Sequence, residues 1–176
     1  NLRRMHTGLD QDVLAALADR ILGARQVLVL GYRNAFPVAL HLRQQLAQAR
    51  DGVRLGPEPG QSLGEELAGV GDRDVVLLVG FRRRPERFPR LVAALAETGA
   101  HRVLIADPTA ARYADAFDTV LECPIESASA FDSYAAPMSL ASLLAGLVLA
   151  RAGARGSARV RAIDDRYAAL AELDAP

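Results

Sequence analysis

Three consecutive arginines, Arg82-Arg83-Arg84, follow the apolar run Val75 to Val79 across Gly80-Phe81, and Pro85 comes directly after them. Guanidinium groups hold carboxylates and phosphates through paired, charge-assisted hydrogen bonds. In open α/β sheets, ligands sit outside the carboxyl ends of parallel strands, where the loops meet helix N-termini. An apolar strand that runs into Gly80, Phe81, Arg82 and Arg83 therefore marks a candidate site for a small anion. Two other segments offer related chemistry. Gly31-Tyr32-Arg33-Asn34-Ala35 follows one aliphatic run, its glycine allowing close backbone approach. Glu126-Ser127-Ala128-Ser129 follows another, with a carboxylate and two hydroxyls. These three strand ends are expected to converge on one pocket. Arg33, Arg82 and Arg83 read either as ligand contacts or as solvated or dimer-facing charge. Asn34 either donates to an anion or eases a tight turn, and Ser127 and Ser129 either bind a ligand or cap the next helix. Arg84 precedes a proline, which favours extended backbone, and is expected to face solvent.

Other chemistries find little support. All 21 basic residues are arginine, so Schiff-base chemistry and a phosphate-binding P-loop lysine are excluded. The single cysteine, Cys123, has no partner for an internal disulfide or a zinc site, and suits a reducing cytoplasm. His6, His41 and His101 show no metal spacing and read as structural. No metal and no cofactor is expected. Ser127 and Ser129 lack a G-x-S-x-G frame, and Gly52, Gly56 and Gly60 do not form a dinucleotide fingerprint. The arginines are balanced by 21 acidic residues, so the chain has no global pull toward nucleic acid or anionic lipid. The N-terminal residues lack the order of a signal peptide. The apolar run Ala135 to Ala150 is interrupted by Pro137, Ser139, Ser142 and Gly146 and falls short of the roughly 20 residues of a membrane span, so it reads as a buried helix.

Holding the three loops together takes alternating strands and helices. Asp10 to Leu22 has helical apolar spacing at Val13, Leu14, Leu17, Ile21 and Leu22, with Asp10 as cap. Gln26 to Leu30 is a strand, followed by a helix through Val38, Leu42 and Leu46. Val53 to Leu55 is a brief strand, and Ser62 to Ala68 a helix with Ser62 at the N-cap and Glu65 in the capping-box position. After the strand Val75 to Val79, Pro85 suits the first position of a helix through Phe88, Leu91, Val92 and Leu95 that Gly99 stops. Arg102 to Ala106 is a strand closed by Asp107-Pro108, then Thr109 to Ala114 a short helix, and Thr119 to Cys123 a fifth strand. Helices over Asp132 to Ala152 and Ala158 to Leu173 complete the chain. Continuous aliphatic strands between helices predict an α/β protein, a three-layer α/β/α sandwich around a five-stranded parallel sheet with right-handed crossovers. At 176 residues this is one domain, over residues 10–173. The chain begins at Asn1 without an initiator methionine, so Asn1 to Leu9 is expected to be a linker from an upstream domain, and residues 174–176 a tail.

The element order, the Gly31-x-Arg33-x-Ala35 turn, Leu63-Gly64-Glu65-Glu66-Leu67 ahead of Gly71-Asp72-Arg73-Asp74-Val75, the Phe81-Arg82-Arg83 loop and Phe131-Asp132-Ser133-Tyr134 together resemble a known family. It is the sugar isomerase (SIS) domain of RpiR-type bacterial transcription regulators, and the resemblance runs from about Asp10 to Leu173. It implies a flavodoxin-like SIS fold, and a non-catalytic domain that senses a phosphosugar or related metabolite in the cytoplasm. DNA would be bound through an upstream helix-turn-helix domain, in a homodimer or a dimer of dimers. SIS isomerases use a glutamate as the base that moves a proton between sugar carbons, which makes Glu65 and Glu66 the candidates for the alternative, an isomerase or etherase-like lyase. A domain serving only dimerisation is a third reading. The chain departs from the family twice. Where many SIS domains have G-x-G-x-S, the second glycine is Arg33 and the serine Ala35, and where they have S-x-S-G-x-T, this chain has Gly80-Phe81-Arg82-Arg83-Arg84-Pro85. Guanidinium forks in place of hydroxyls accept planar carboxylates as readily as phosphate, so sugar acids join sugar phosphates as expected ligands.

Overall fold

The computed structural model describes residues 1–173, so the tail expected at residues 174–176 lies outside the described residues. Strands β1 (Val27–Gly31), β2 (Val53–Gly56), β3 (Val75–Val79), β4 (His101–Ala106) and β5 (Thr119–Glu122) form one sheet in the order β2-β1-β3-β4-β5. Every pairing is parallel, with Val27 beside Val53 on one side and Val75 on the other. β1 and β3 are buried along their whole length. A strand with helices on both faces has no solvated side, which is why these segments read as unbroken Val and Leu.

Helices α1 (Leu2–Gly8), α2 (Gln11–Gly23), α3 (Phe36–Ala49) and α6 (Ala135–Leu170) cover one face, and α4 (Leu63–Ala68) and α5 (Phe88–Ala96) the other. The alternation of side chains along the strands divides the core accordingly. Val27, Val29, Val75 and Leu77 pack under α2, α3 and α6, whereas Leu28, Leu30, Val76 and Leu78 pack with Phe88, Leu91 and Leu95 of α5. The expected three-layer α/β/α sandwich is what the chain forms. Local signals at the helix ends also hold. Asp10 accepts from the backbone N–H groups of Asp12 and Val13 at 2.8 and 3.3 Å, and Ser62 and Glu65 form a reciprocal capping box.

Four boundaries differ from the sequence expectation. Asn1 to Leu9 is not a bare linker: Leu2–Gly8 is helical and its Met5 is buried in the core under α6. α5 begins at Phe88 rather than Pro85, because Pro85 instead supplies the carbonyl that receives the Phe88 N–H at 2.9 Å. The short helix expected at Thr109 to Ala114 is a 3-10 segment over Pro108–Ala116, capped by Asp107. Lastly, α6 begins at Ala135, leaving Asp132 in the preceding loop, and runs through a kink at Gly153 (φ 55°, ψ −129°) to Leu170. By length and composition α6 could cross a membrane, with a mean hydropathy of 1.5 in its most apolar window. In the fold, however, Leu140, Leu144 and Val148 are buried against the sheet face beside α3, as expected for a core helix.

Candidate anion-binding site

The strand order reverses between β1 and β3, since β1 leads outward to β2 while β3 leads outward to β4. Loops leaving adjacent strands at such a switch point part to opposite sides and leave a crevice at the carboxyl edge. Gly31 ends β1 and Gly80 directly follows β3, and both are glycine because the following helix presses on them. A Cβ at Gly31 would lie 2.6 Å from the Ala39 Cβ, and one at Gly80 would lie 2.7 Å from the Phe88 ring. Their contribution is therefore to seat α3 and α5 tightly, which sets where the two loops start. From β1 the chain enters a 3-10 turn, Arg33–Ala35, in which Arg33 has φ 53°. That is the left-handed region favoured by glycine, and Arg33 stands where the second glycine of G-x-G-x-S would be.

The crevice holds a cavity of about 760 Å³ whose walls come from three segments. Tyr32, Arg33 and Asn34 come from the β1 loop, Phe81, Arg82 and Arg83 from the β3 loop, and Ala130, Phe131, Asp132 and Tyr134 from the run into α6. Pro37, Val38 and Met138 complete the floor. The Phe81 and Tyr134 rings meet edge to face at 5.6 Å and tie the second wall to the third.

The three arginines of the β3 loop have separate fates. Arg82 forms a fork with Asp132 on the cavity wall, Nε to Oδ1 at 3.1 Å and Nη2 to Oδ1 at 2.5 Å. This fork holds the Asp132 carboxyl below its ordinary range and raises Arg82 above its own. Arg83 is exposed on the cavity wall, and neither it nor Arg33 makes an ion pair among the described residues. Arg84 does not face solvent. Its side chain is only 9% exposed, donating from Nε to the Gly80 carbonyl at 2.8 Å, from Nη1 to Thr109 Oγ1 at 2.9 Å and from Nη2 to Asp107 Oδ1 at 2.6 Å. The preference imposed by a following proline concerns the backbone and says nothing of a long side chain that can fold back under its own loop. Asp107 also accepts the Arg82 backbone N–H at 2.9 Å, so the carboxylate at the end of β4 fixes the β3 loop from beneath.

Of the residues expected at the site, Arg33, Asn34, Phe81, Arg82 and Arg83 line the cavity. Gly31 and Gly80 lie behind it as helix seats. Glu126, Ser127 and Ser129 are outside its lining, for a topological reason: β5 is the edge strand, with β4 between it and β3. Glu126 pairs with Arg4 of α1 at 3.0 Å, and Ser127 and Ser129 hydrogen-bond each other at 3.1 Å in an exposed turn. Only after that turn does the chain come back over the crevice, which brings in Phe131, Asp132 and Tyr134. Sequence reasoning missed those three as site residues. The signal lies in Phe131-Asp132-Ser133-Tyr134, which by sequence suits a helix start. Neither Glu65 nor Glu66 reaches the cavity: Glu65 closes its capping box, and Glu66 is 3% exposed and paired with Arg54. No cluster of His, Cys, Asp or Glu suited to a metal occurs among the described residues.

A doubly wound parallel sheet with an arginine-lined crevice at its switch point defines the class, an open α/β domain with its candidate site at the carboxyl edge of the sheet. Residues 20–147 match the SIS domain family, and the chain belongs to it. Among solved structures, the RpiR transcription factor sugar isomerase domain from Sphaerobacter thermophilus is similar, with a TM-score of 0.85 and 22% identity over 94% of this chain and 92% of that one. The Vibrio vulnificus NanR protein complexed with ManNAc-6P is similar with a TM-score of 0.77 and 14% identity over 96% of this chain and 65% of that one. A Methanococcus jannaschii protein, inferred to be a 3-hexulose-6-phosphate isomerase, has a TM-score of 0.68 and 13% identity over 90% of this chain and 88% of that one. These likenesses establish the SIS fold. No curated protein matches the chain.

Proposed function

We propose that this chain is the effector-sensing domain of an RpiR-type transcription regulator, which binds a sugar-derived anion, a sugar phosphate or a sugar acid, without transforming it. The observation that carries the reading is the cavity at the β1/β3 switch point, with Arg33 and Arg83 on its wall and no ion-pair partner for either among the described residues. The similarity to regulators, one of them complexed with ManNAc-6P, supports the sugar-anion class. Against catalysis stands the chemistry of the lining: its one carboxylate, Asp132, is held by Arg82 in the ionised form with a lowered pKa, which makes it a weak base for abstracting a proton from a sugar carbon. Binding would shift a homodimer or dimer of dimers between forms of different DNA affinity, a coupling of about 1–3 kcal/mol in such systems. DNA contact would belong to an upstream helix-turn-helix domain, in the cytoplasm.

Thermal shift and calorimetry against panels of sugar phosphates and sugar acids test this. A ligand at 100 times its Kd is expected to stabilise the fold by about 2.7 kcal/mol, and Arg83→Ala to remove most of that gain. A lack of response to every such anion would sink the sensing role, and aldose–ketose conversion of any phosphosugar would sink the non-catalytic one.

A further inference from the structure

A second cavity, of about 830 Å³, opens on the other side of the β1 loop. Its lining is Tyr32, Arg33, Pro85, Glu86, Arg87 and Arg90, so Tyr32 and Arg33 form a wall common to both cavities. The Arg87 guanidinium lies over the Tyr32 ring, 5.4 Å from its centroid, which fixes the position of an otherwise flexible charge. Arg33, Arg87 and Arg90 are all exposed, and none makes an ion pair among the described residues. The only carboxylate in this lining is Glu86. Unpaired arginines thus stand on both sides of the wall that Tyr32 and Arg33 form, with Arg33, whose backbone is left-handed, lining both cavities.

We propose that the two cavities are the two lobes of one site, which takes a carbohydrate carrying two separated anionic groups, such as a sugar bisphosphate or a phosphorylated sugar acid. One anion meets Arg83 and Arg33 in the first lobe, and the second meets Arg87 and Arg90 across the Tyr32–Arg33 wall. This rests on the reading of the first cavity as an anion site and adds the chemical class of its ligand. Once one anionic group is held, the second binds intramolecularly at high effective concentration, so a matched bis-anion outbinds a mono-anion with no new contact in the first lobe.

The test is calorimetry of the full chain with fructose 6-phosphate and fructose 1,6-bisphosphate, and with glucose 6-phosphate and 6-phosphogluconate. The bis-anion of each pair is expected to bind at least about tenfold more tightly. Arg90→Gln, at an exposed position with no ion pair to lose, and Arg87→Gln are expected to reduce that advantage to about threefold or less while leaving the mono-anion Kd within about twofold. Arg83→Ala should weaken both members of each pair. Equal affinity within both pairs, or a bis-anion preference that survives both glutamine variants, would overturn the two-lobed site and leave the sensing role intact. Failure of all four compounds to bind would overturn the two-lobed site, and only the same silence across the whole panel of sugar phosphates and sugar acids would overturn the sensing role with it.

Discussion

Arg33 shows how one side chain serves two opposed demands. Its φ of 53° strains any residue with a Cβ, at a cost of about 1 kcal/mol. Arg33→Gly is therefore expected to stabilise the fold by about 1 kcal/mol, read from urea or thermal melts, while weakening anion binding about tenfold. An Arg33→Gly protein that is both less stable and unchanged in binding would contradict that trade-off. Cys123 is the opposite case, a residue whose chemistry is silenced by its place. Buried completely beyond β5, its thiol is pushed up to about 12, mainly by burial, so almost no thiolate exists at neutral pH. Alkylation with iodoacetamide is expected to be negligible in the native protein and rapid in urea. Rapid native labelling would show that the segment opens.

At the level of elements, two carboxylates at opposite ends of the sheet organise what surrounds them. Asp107, at the carboxyl end of β4, holds the Arg82 N–H and the Arg84 guanidinium, so the β3 loop depends on the strand beside it. Arg84→Met leaves Asp107 buried without its cation and is expected to cost about 3 kcal/mol of stability by urea denaturation. It should also disorder the anion site, measured as lost affinity. Asp74, leading into β3 at the amino edge, is buried against water, which by itself would raise its pKa. Arg25, the Gly71 N–H and Gln26 outweigh that and bring it to about 2. Its folded pKa lies below its unfolded value, so its contribution of about 2 kcal/mol is present above about pH 4 and disappears as pH falls toward 2. Asp74→Asn is expected to flatten that acid limb in urea melts recorded from pH 5 to 2. An unchanged limb would place the acid sensitivity elsewhere.

Across the whole molecule, charge is balanced, and Arg33, Arg83, Arg87 and Arg90 gather at the switch-point edge. The long α6 divides in the same way into a core limb and an outer one. Up to Ala152 it carries Leu140, Leu144 and Val148 in the core, whereas past the Gly153 kink Gly156 is the only buried position among the described residues. The outer limb is tied back by Arg159, which donates to the Ala47 carbonyl near the end of α3 at 2.7 Å. A chain ending at Gly153 is expected to keep its sheet, as read by circular dichroism, and to lose less than about 2 kcal/mol of stability. Loss of cooperative unfolding would mean that the outer limb holds the fold together.

Aliphatic runs such as Val75 to Val79 and Val27 to Leu30, set between helical spacings, were enough to read five strands, two of them wholly buried, and the layers around them. Burial on both faces leaves no other composition for such strands. Local chemistry was equally legible: the Asp10 cap and the Ser62–Glu65 box involve groups only a few residues apart, so the sequence determines them alone. The strand order was not legible, because each pairing joins residues far apart along the chain, and similar aliphatic strands carry no label of neighbour. Tertiary structure decided that β1 and β3 adjoin while β5 lies at the edge. That one arrangement put Arg33 and Arg83 on a common cavity and sent Glu126, Ser127 and Ser129 away from it. It also folded Arg84 beneath its own loop and returned Asp132 over the cleft to meet Arg82, a contact between residues 50 apart in sequence. Residue type determined that arginines gather at this edge of the sheet; only the packing of strands and helices decided which of them share a cavity.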